Sequence, residues 1–479
     1  MTDSQTRSGS APDGDLRPGG RPPVSPRPDE ARNRYAAVWR WHFYAGLYTA
    51  PFLVVLALTG LMMLFGDELE RWQFPELTRT EGASDVVPHQ NRLESALAAM
   101  PESTFVRYEP GHLPGDSTRV SVLVAGEPHT VFVDGESGRV LGEVADLRRL
   151  PFLAEKIHGT LLVGDIGDRL IELAAGFGIL LLVSGVYLWL PRSGKWRSGF
   201  ALGAPTSRLK VRNAHKLIGL LLAPALFCYL VSGLAWTGIW GERLVQAWNS
   251  FPAEKWGPGG GGHNHEALNG ESRKVVPWNL EKSPLPASDG HPGAGGSSSP
   301  VAQTLDQTIA IGRTNGIGAR YFVGVPASRD DIWTVAQTAI GGQVTDPRQE
   351  LTLHIDRKTG HVVGRAGWSE YALGAKAMAA GTPLHMGKLG PWNRALAAAV
   401  CCSVLLLAVT GPLVWWLRRP ARAGRLGAPA APARVPRAVL LATALLSLAL
   451  PLVALALAVV ALLDWAVLRR LPGLRATLD

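Results

Sequence analysis

Two apolar stretches decide the fold, WHFYAGLYTAPFLVVLALTG at 41–60 and AHKLIGLLLAPALFCYLVSG at 214–233. Each is long enough to cross a bilayer as a helix, which takes about 20 residues. The two align without a gap: a histidine is followed by glycine four residues on, proline nine on and glycine eighteen on. The sequence therefore predicts a membrane protein built from two related halves.

Helical geometry puts the histidine and both glycines of each stretch on one face. Residues four apart share a face, and eighteen residues make five whole turns at 3.6 residues per turn. Glycine on a membrane helix lets another helix or a flat group such as a porphyrin approach closely. The two sets are His42, Gly46 and Gly60, and His215, Gly219 and Gly233.

Further apolar runs predict four core spans in two repeats and a fifth, C-terminal span. The fifth run has Pro451 near its middle, so one kinked helix is favoured and a re-entrant hairpin stays open. The expected order is a disordered tail (1–34), span 1 (35–66), an outer module (67–168), span 2 (169–190), a cytoplasmic loop (191–212), span 3 (213–240), a second outer module (241–390), span 4 (391–417), a cytoplasmic linker (418–437) and the C-terminal span with its tail (438–479).

The distribution of basic residues sets the expected orientation. Arginine and lysine concentrate in the N-terminal tail, in 191–212 and in 418–437, and loops rich in these residues stay in the cytoplasm. We therefore expect a multi-pass protein of the bacterial plasma membrane with a cytoplasmic N-terminus. The net charge of +9 then reflects topology, and no nucleic-acid partner is expected.

The two outer segments repeat as well. VDGESGRVLG at 133–142 aligns with IDRKTGHVVG at 355–364, and each has the strand, turn glycine and second strand of a β-hairpin. A helical stretch and an earlier strand precede each hairpin. Two extracytoplasmic α+β modules are therefore predicted.

Two more histidines complete a pattern of four. His158 and His385 lie at the outer ends of spans 2 and 4, whose glycines, Gly185 and Gly411, lie near the inner ends. We predict two ligand pairs, His42 with His215 on the inner side and His158 with His385 on the outer side. Two imidazoles fill both axial positions of a haem iron, which favours electron transfer over oxygen chemistry.

Simpler explanations stay open for these residues. A histidine at the end of a span is often an interfacial residue with a local hydrogen bond, and Gly46 and Gly219 are equally compatible with plain helix packing. A separate run, GPGGGGHNHEALNG at 257–270, carries His263 and His265. It is either a copper or zinc site or a solvated flexible loop.

Several stretches resemble a known family. WHFYAGLYTAPFLVVLALTG, RNAHKLIGLLLAPALFCYLVSG, HGTLLVGDIGDRLIELAAGFGILLLVSGVYLWLPR and PLHMGKLGPWNRALAAAV resemble the PepSY-associated transmembrane-helix family, over about residues 35–420, and the outer modules resemble PepSY domains. Members include iron-regulated membrane proteins and di-haem ferric-siderophore reductases. The resemblance implies two haem b groups on the four histidines, a cytoplasmic electron donor and an outer ferric complex as substrate. The run after 438 and the His263/His265 loop depart from shorter members.

Three functional hypotheses follow. The first is a haem-b transmembrane electron-transfer protein acting as a ferric-chelate (siderophore) reductase. The second is a haem-free PepSY membrane scaffold or regulator that binds a peptidase or envelope partner. The third is a copper or zinc handling protein that uses His263 and His265. Membrane lipid surrounds the spans in each case, and a dimer is compatible with all three.

Overall fold

The computed structural model describes residues 28–80, 87–190, 200, 206–245, 264–269, 274–286, 303–325, 332–418, 426–429, 432, 435–467 and 470–471. Its α-helices are α1 (Pro28–Leu64), α2 (Gly66–Gln73), α3 (Pro75–Thr78), α4 (His89–Ala99), α5 (Leu150–Thr160), α6 (Gly164–Trp189), α7 (Ser207–Leu234), α8 (Leu305–Thr314), α9 (Leu373–His385), α10 (Pro391–Trp416), α11 (Arg437–Ala449) and α12 (Pro451–Ala466). Its strands are β1 (Thr104–Glu109), β2 (Thr118–Val124), β3 (Glu127–Val133), β4 (Val140–Ala145), β5 (Phe322–Gly324), β6 (Ile332–Gln337), β7 (Leu351–Asp356) and β8 (Val362–Gly367).

Four of these helices, α1, α6, α7 and α10, are long and apolar enough to span a membrane. Each of α1 and α7 packs against both α6 and α10, so α1 faces α7 diagonally across a four-helix bundle. The outer surface stays apolar: Leu221, Leu406 and Val409 are 65%, 51% and 63% exposed. Apolar side chains in such number on the outside of a bundle are typical of a surface that contacts lipid.

The expected bounds of the spans need correction. α1 begins at Pro28, inside the segment expected to be a disordered tail, because proline suits the first turn of a helix. Residues 1–27 lie outside the described residues. Span 3 also begins earlier than expected, at Ser207, where the Thr206 hydroxyl accepts a hydrogen bond from the amide of Leu209.

The C-terminal run is not one long span. It forms two helices, α11 of 13 residues and α12 of 16 residues, which are separated by Leu450. Pro451 has no N–H to donate to the preceding turn and instead occupies the first position of α12. Each helix is shorter than the 20 or so residues that a transmembrane helix needs. The expectation of a fifth span formed by one kinked helix is therefore wrong.

The strands form one sheet rather than the sheets of two separate modules. Their order is β4-β3-β2-β1-β5-β6-β7-β8, with β1 antiparallel to β5. A four-stranded half-sheet would expose the backbone N–H and C=O groups of its edge strand, and pairing of β1 with β5 satisfies them. The two predicted hairpins are present and share one turn geometry, since the carboxylates of Asp134 and Asp356 accept from the amides of Glu136 and Lys358 at 2.8 Å.

Helices cover both faces of the sheet. Leu93 of α4 and Leu305 of α8 pack on one face in the largest buried cluster. On the other face, Leu280, Ala366 of β8 and Ala379 of α9 share a second cluster. The second cluster ties α9 to the sheet and so fixes the helix that ends at His385.

A buried ionic network fixes α5 in the other half. Arg149, directly before α5, contacts the carboxylates of Glu70 in α2 (2.5 Å) and Asp146 (2.8 Å). Arg119 of β2 contacts Glu70 as well, at 2.9 Å. Helix α2, the sheet and the start of α5 are therefore joined through one set of charges, and α5 carries His158.

Replacing Arg149 by leucine is expected to destabilise this region strongly. The change leaves the carboxylates of Glu70 and Asp146 buried without their main cation, and breaking such a buried pair costs about 3–5 kcal/mol. Thermal unfolding of the detergent-purified protein measures the loss. Replacing the exposed Arg139 by leucine is the matched control, and equal losses for both variants would contradict this role for the network.

Candidate functional site

The four predicted histidines lie in two tiers inside or against the bundle. His42 and His215 lie in the N-terminal halves of α1 and α7, the diagonal pair. His158 and His385 lie at the ends of α5 and α9, which pack on α1 and α7. The ring centres of His158 and His385 are 6.5 Å apart. The predicted outer pair is thus brought together, and the predicted inner pair lies on two helices that face each other across the bundle.

Every one of these histidines has the same kind of partner. Its Nδ1 lies within hydrogen-bond distance of the hydroxyl of a serine or threonine on a neighbouring spanning helix. The four contacts are His42 to Ser184 (2.8 Å), His215 to Thr410 (2.8 Å), His158 to Thr59 (2.9 Å) and His385 to Ser232 (3.0 Å).

The hydroxyl groups decide which ring nitrogen carries the proton. A hydroxyl has one hydrogen, and each of the four is within 2.7 Å of the carbonyl four residues earlier in its own helix. With its hydrogen donated there, the hydroxyl oxygen accepts from the histidine, so Nδ1 carries the ring proton. The lone pair of the neutral ring is then on Nε2, for which no hydrogen-bond partner is found among the described residues.

Four glycines give the rings room. A Cβ on Gly233 would lie 3.1 Å from Cε1 of His385, and one on Gly185 would lie 3.3 Å from Cε1 of His42. The corresponding distances are 3.5 Å for Gly411 and His215, and 3.7 Å for Gly60 and His158. Each ring therefore lies against the glycine that follows its hydroxyl partner in sequence.

Gly46 and Gly219 differ from the other four. A Cβ on either would meet only a leucine, Leu181 or Leu407, at 3.7 Å, an ordinary packing distance. Neither glycine contacts a histidine. In this structure their contacts are those of helix packing.

The spacing of the outer pair suits a single metal ion held from both sides. Two imidazoles bound at about 2 Å on opposite sides of a metal have ring centres roughly 6 Å apart. The ring centres of His158 and His385 are 6.5 Å apart, and their Nδ1 atoms are engaged elsewhere. The donor set and its geometry therefore fit a group with two axial imidazole ligands.

Comparison with known families agrees with this architecture. Residues 39–418 match the family described as PepSY-associated TM region. The chain belongs to this family. Among curated proteins, none matches the chain. The match begins within α1, covers the other three spanning helices and the whole sheet, and includes all four histidines of this PepSY-associated TM protein.

Contacts from two spanning helices of this family member hold the end of the helix that carries His385. The Tyr229 ring lies 5.4 Å from that of His385, and its hydroxyl donates to the carbonyl of Leu384 at 3.2 Å. Asn393 donates to the same carbonyl at 2.8 Å. The last turn of α9 is therefore held by α7 and α10, which sequence reasoning did not detect because these contacts join distant segments.

The predicted copper or zinc site falls partly outside the described residues, where His263 lies. His265 is fully buried, and its Nε2 is 2.9 Å from Nε2 of His354 in β7. Its Nδ1 donates to the carbonyl of Ser283 at 2.8 Å, and burial lowers the pKa of His265 to about 4. Within the part of the chain that the structure describes, no group of three metal-ligating side chains is found.

Proposed function

We propose that this PepSY-associated TM protein binds haem b at both histidine tiers and carries electrons across the membrane to a ferric complex outside. The observation that carries the proposal is the common contact of the four histidines, each of which has Nδ1 within 3.0 Å of a hydroxyl on a spanning helix. A ring that donates from Nδ1 to this hydroxyl keeps its lone pair on Nε2, the atom that would ligate haem iron.

The residues around each tier have distinct roles. The imidazoles ligate, the hydroxyls hold each ring in one tautomer and orientation, and the glycines let the rings lie close to the neighbouring helix. Haem held by the four histidines would supply reversible one-electron transfer. The apolar helices around the tiers keep water from the ligands.

Orientation follows from charge. The basic segments 191–212 and 418–437 connect the helix ends opposite the sheet, and basic loops stay in the cytoplasm. The pair His42 and His215 is then the cytoplasmic tier, and the pair His158 and His385 is the outer tier beside the sheet. Haem held by these residues would supply one-electron transfer between a cytoplasmic donor and an outer Fe(III) complex, whose hard oxygen ligands hold Fe(II) less strongly.

Vesicles with the protein inserted test this function. A reductant enclosed on the basic side and a ferric chelate added on the sheet side should give Fe(II) outside, followed with a colour-forming Fe(II) chelator. Vesicles with the His42→Ala variant should show only background reduction. Equal Fe(II) formation with and without the protein would contradict the proposal.

Removing one hydroxyl should weaken one tier only. In Ser232→Ala the Nδ1 of His385 loses its acceptor, so the ring is no longer held in the ligating tautomer. Loss of such an outer partner typically lowers metal affinity about 10–100-fold. We expect the outer haem to be lost far more easily when the purified variant is titrated with apomyoglobin, which captures released haem.

Ser403 provides the matched control for this variant. Its hydroxyl bonds the carbonyl of Ala399 at 2.6 Å, the same helix contact, but it has no histidine partner among the described residues. Ser403→Ala should retain both haems as the unmodified protein does. Equal haem retention in Ser232→Ala would refute the orienting role of the hydroxyl.

A further inference from the structure

A cavity of about 740 Å³ lies at one end of the β5–β8 half of the sheet. Its wall includes three arginines, Arg320, Arg348 and Arg365, together with Glu350 and Trp368. The volume is in the range of small-molecule sites, about 300–1,000 Å³. None of these residues belongs to the histidine tiers.

The three guanidinium groups are not equally available. Arg348 forms a two-pronged ion pair with Asp346. Arg365 donates only to the backbone carbonyl of Asn315, at 3.3 Å. Arg320 has no ion pair with any described residue. Arg320 and Arg365 thus bring positive charge to the cavity that no carboxylate of the described chain neutralises.

The cavity wall contains one acidic residue, Glu350. Glu350 is 4% exposed, and burial raises the pKa of its carboxyl to about 8. One oxygen accepts from the amide of Ala339 at 3.0 Å, whereas Oε2 is buried without a partner. Burial therefore favours the neutral form of this carboxyl, so it opposes the positive charge of the arginines less than an exposed carboxylate would.

The cavity lies beside the segment that follows the outer histidine. Gln343 lines it, and a Cβ on the adjacent Gly342 would lie 3.4 Å from Nζ of Lys388. Lys388 is three residues beyond His385 in the sequence. The loop that lines the cavity therefore contacts the segment that follows His385.

We propose that this cavity binds a polycarboxylate anion in the form of its metal chelate. A guanidinium group can donate two parallel hydrogen bonds to the two oxygens of one carboxylate. Arg320 and Arg365 can therefore each bind one carboxylate of the ligand. The assignment of this ligand as the electron acceptor rests on the proposed function, whereas the binding itself does not.

Binding of gallium(III) citrate tests the cavity without electron transfer, because gallium(III) is not reduced under the conditions of the assay. Calorimetry on the detergent-purified full chain should show saturable binding. The double variant Arg320→Gln, Arg365→Gln should bind at least tenfold more weakly, since it loses two charged contacts to carboxylates. Arg139→Gln, on the other half of the sheet, should bind as the unmodified protein does.

Four outcomes separate the two proposals. Absence of binding by the unmodified protein, or equal binding by the double variant, overturns the cavity site. Equal affinity for metal-free citrate overturns the proposal that the ligand is a metal chelate. A colourless protein that still binds gallium citrate retains the cavity site but contradicts the haem proposal. A haem-loaded protein that does not bind gallium citrate agrees with the haem proposal but contradicts the cavity site.

Discussion

Replacing His385 by alanine is expected to remove one of two haems and to leave the other in place. The outer pair loses one axial ligand, and the remaining imidazole of His158 cannot hold the group by itself in a detergent-exposed site. The inner pair, His42 and His215, lies on different helices and has its own hydroxyl partners, Ser184 and Thr410. The haem-to-protein ratio, measured by the pyridine haemochrome assay, should fall from about two to about one.

The reciprocal variant distinguishes the two tiers. His42→Ala should also reduce the ratio by about one, with loss of the spectral component that His385→Ala retains. The exposed His361, in the turn between β7 and β8, is the control, and His361→Ala should keep both haems. A ratio that stays unchanged in both tier variants would show that these histidines are not the ligands.

Replacing Gly233 by valine is expected to abolish the outer site without touching any ligand. A Cβ at Gly233 would lie 3.1 Å from Cε1 of His385, tighter than ordinary contact, and valine adds two methyl groups to that atom. The stiff, branched side chain forces the ring away from the helix and away from Ser232. The haem ratio should again fall to about one, as it does for the loss of His385 itself.

Gly381 offers the same substitution in open space. It lies in α9, the helix that carries His385, and a Cβ there has no neighbour within 4 Å. Gly381→Val should therefore keep both haems and bind them as the unmodified protein does. Loss of haem in both valine variants would indicate general damage to the bundle rather than crowding of one ring.

The parts of this site that sequence could predict are those governed by helical periodicity. The four spans and the two histidine pairs follow from spacing along single helices and from the repeat. Thr59 and Ser232 directly precede Gly60 and Gly233 in the sequence, but this pattern alone does not indicate that their hydroxyls contact histidines. The reason is geometric: each hydroxyl acts on a histidine of another helix, and the sequence does not specify which helices become neighbours.

Other features depend on contacts between distant segments. Pairing of β1 with β5 joins residues more than 200 positions apart, so two modules became one sheet. The glycines that pack against the rings also differ from the expected ones. Gly60 lies against His158, although it shares a helix face with His42. The arginine cavity combines loops from β5 to β8, which no single motif marks.

An absorption spectrum of the purified protein from haem-replete cells tests the central claim most directly. The account predicts a b-type spectrum that changes on reduction with dithionite, with a haem-to-protein ratio of about two and no response of the reduced form to carbon monoxide, because both axial positions are filled. A colourless protein, folded and intact, would contradict it.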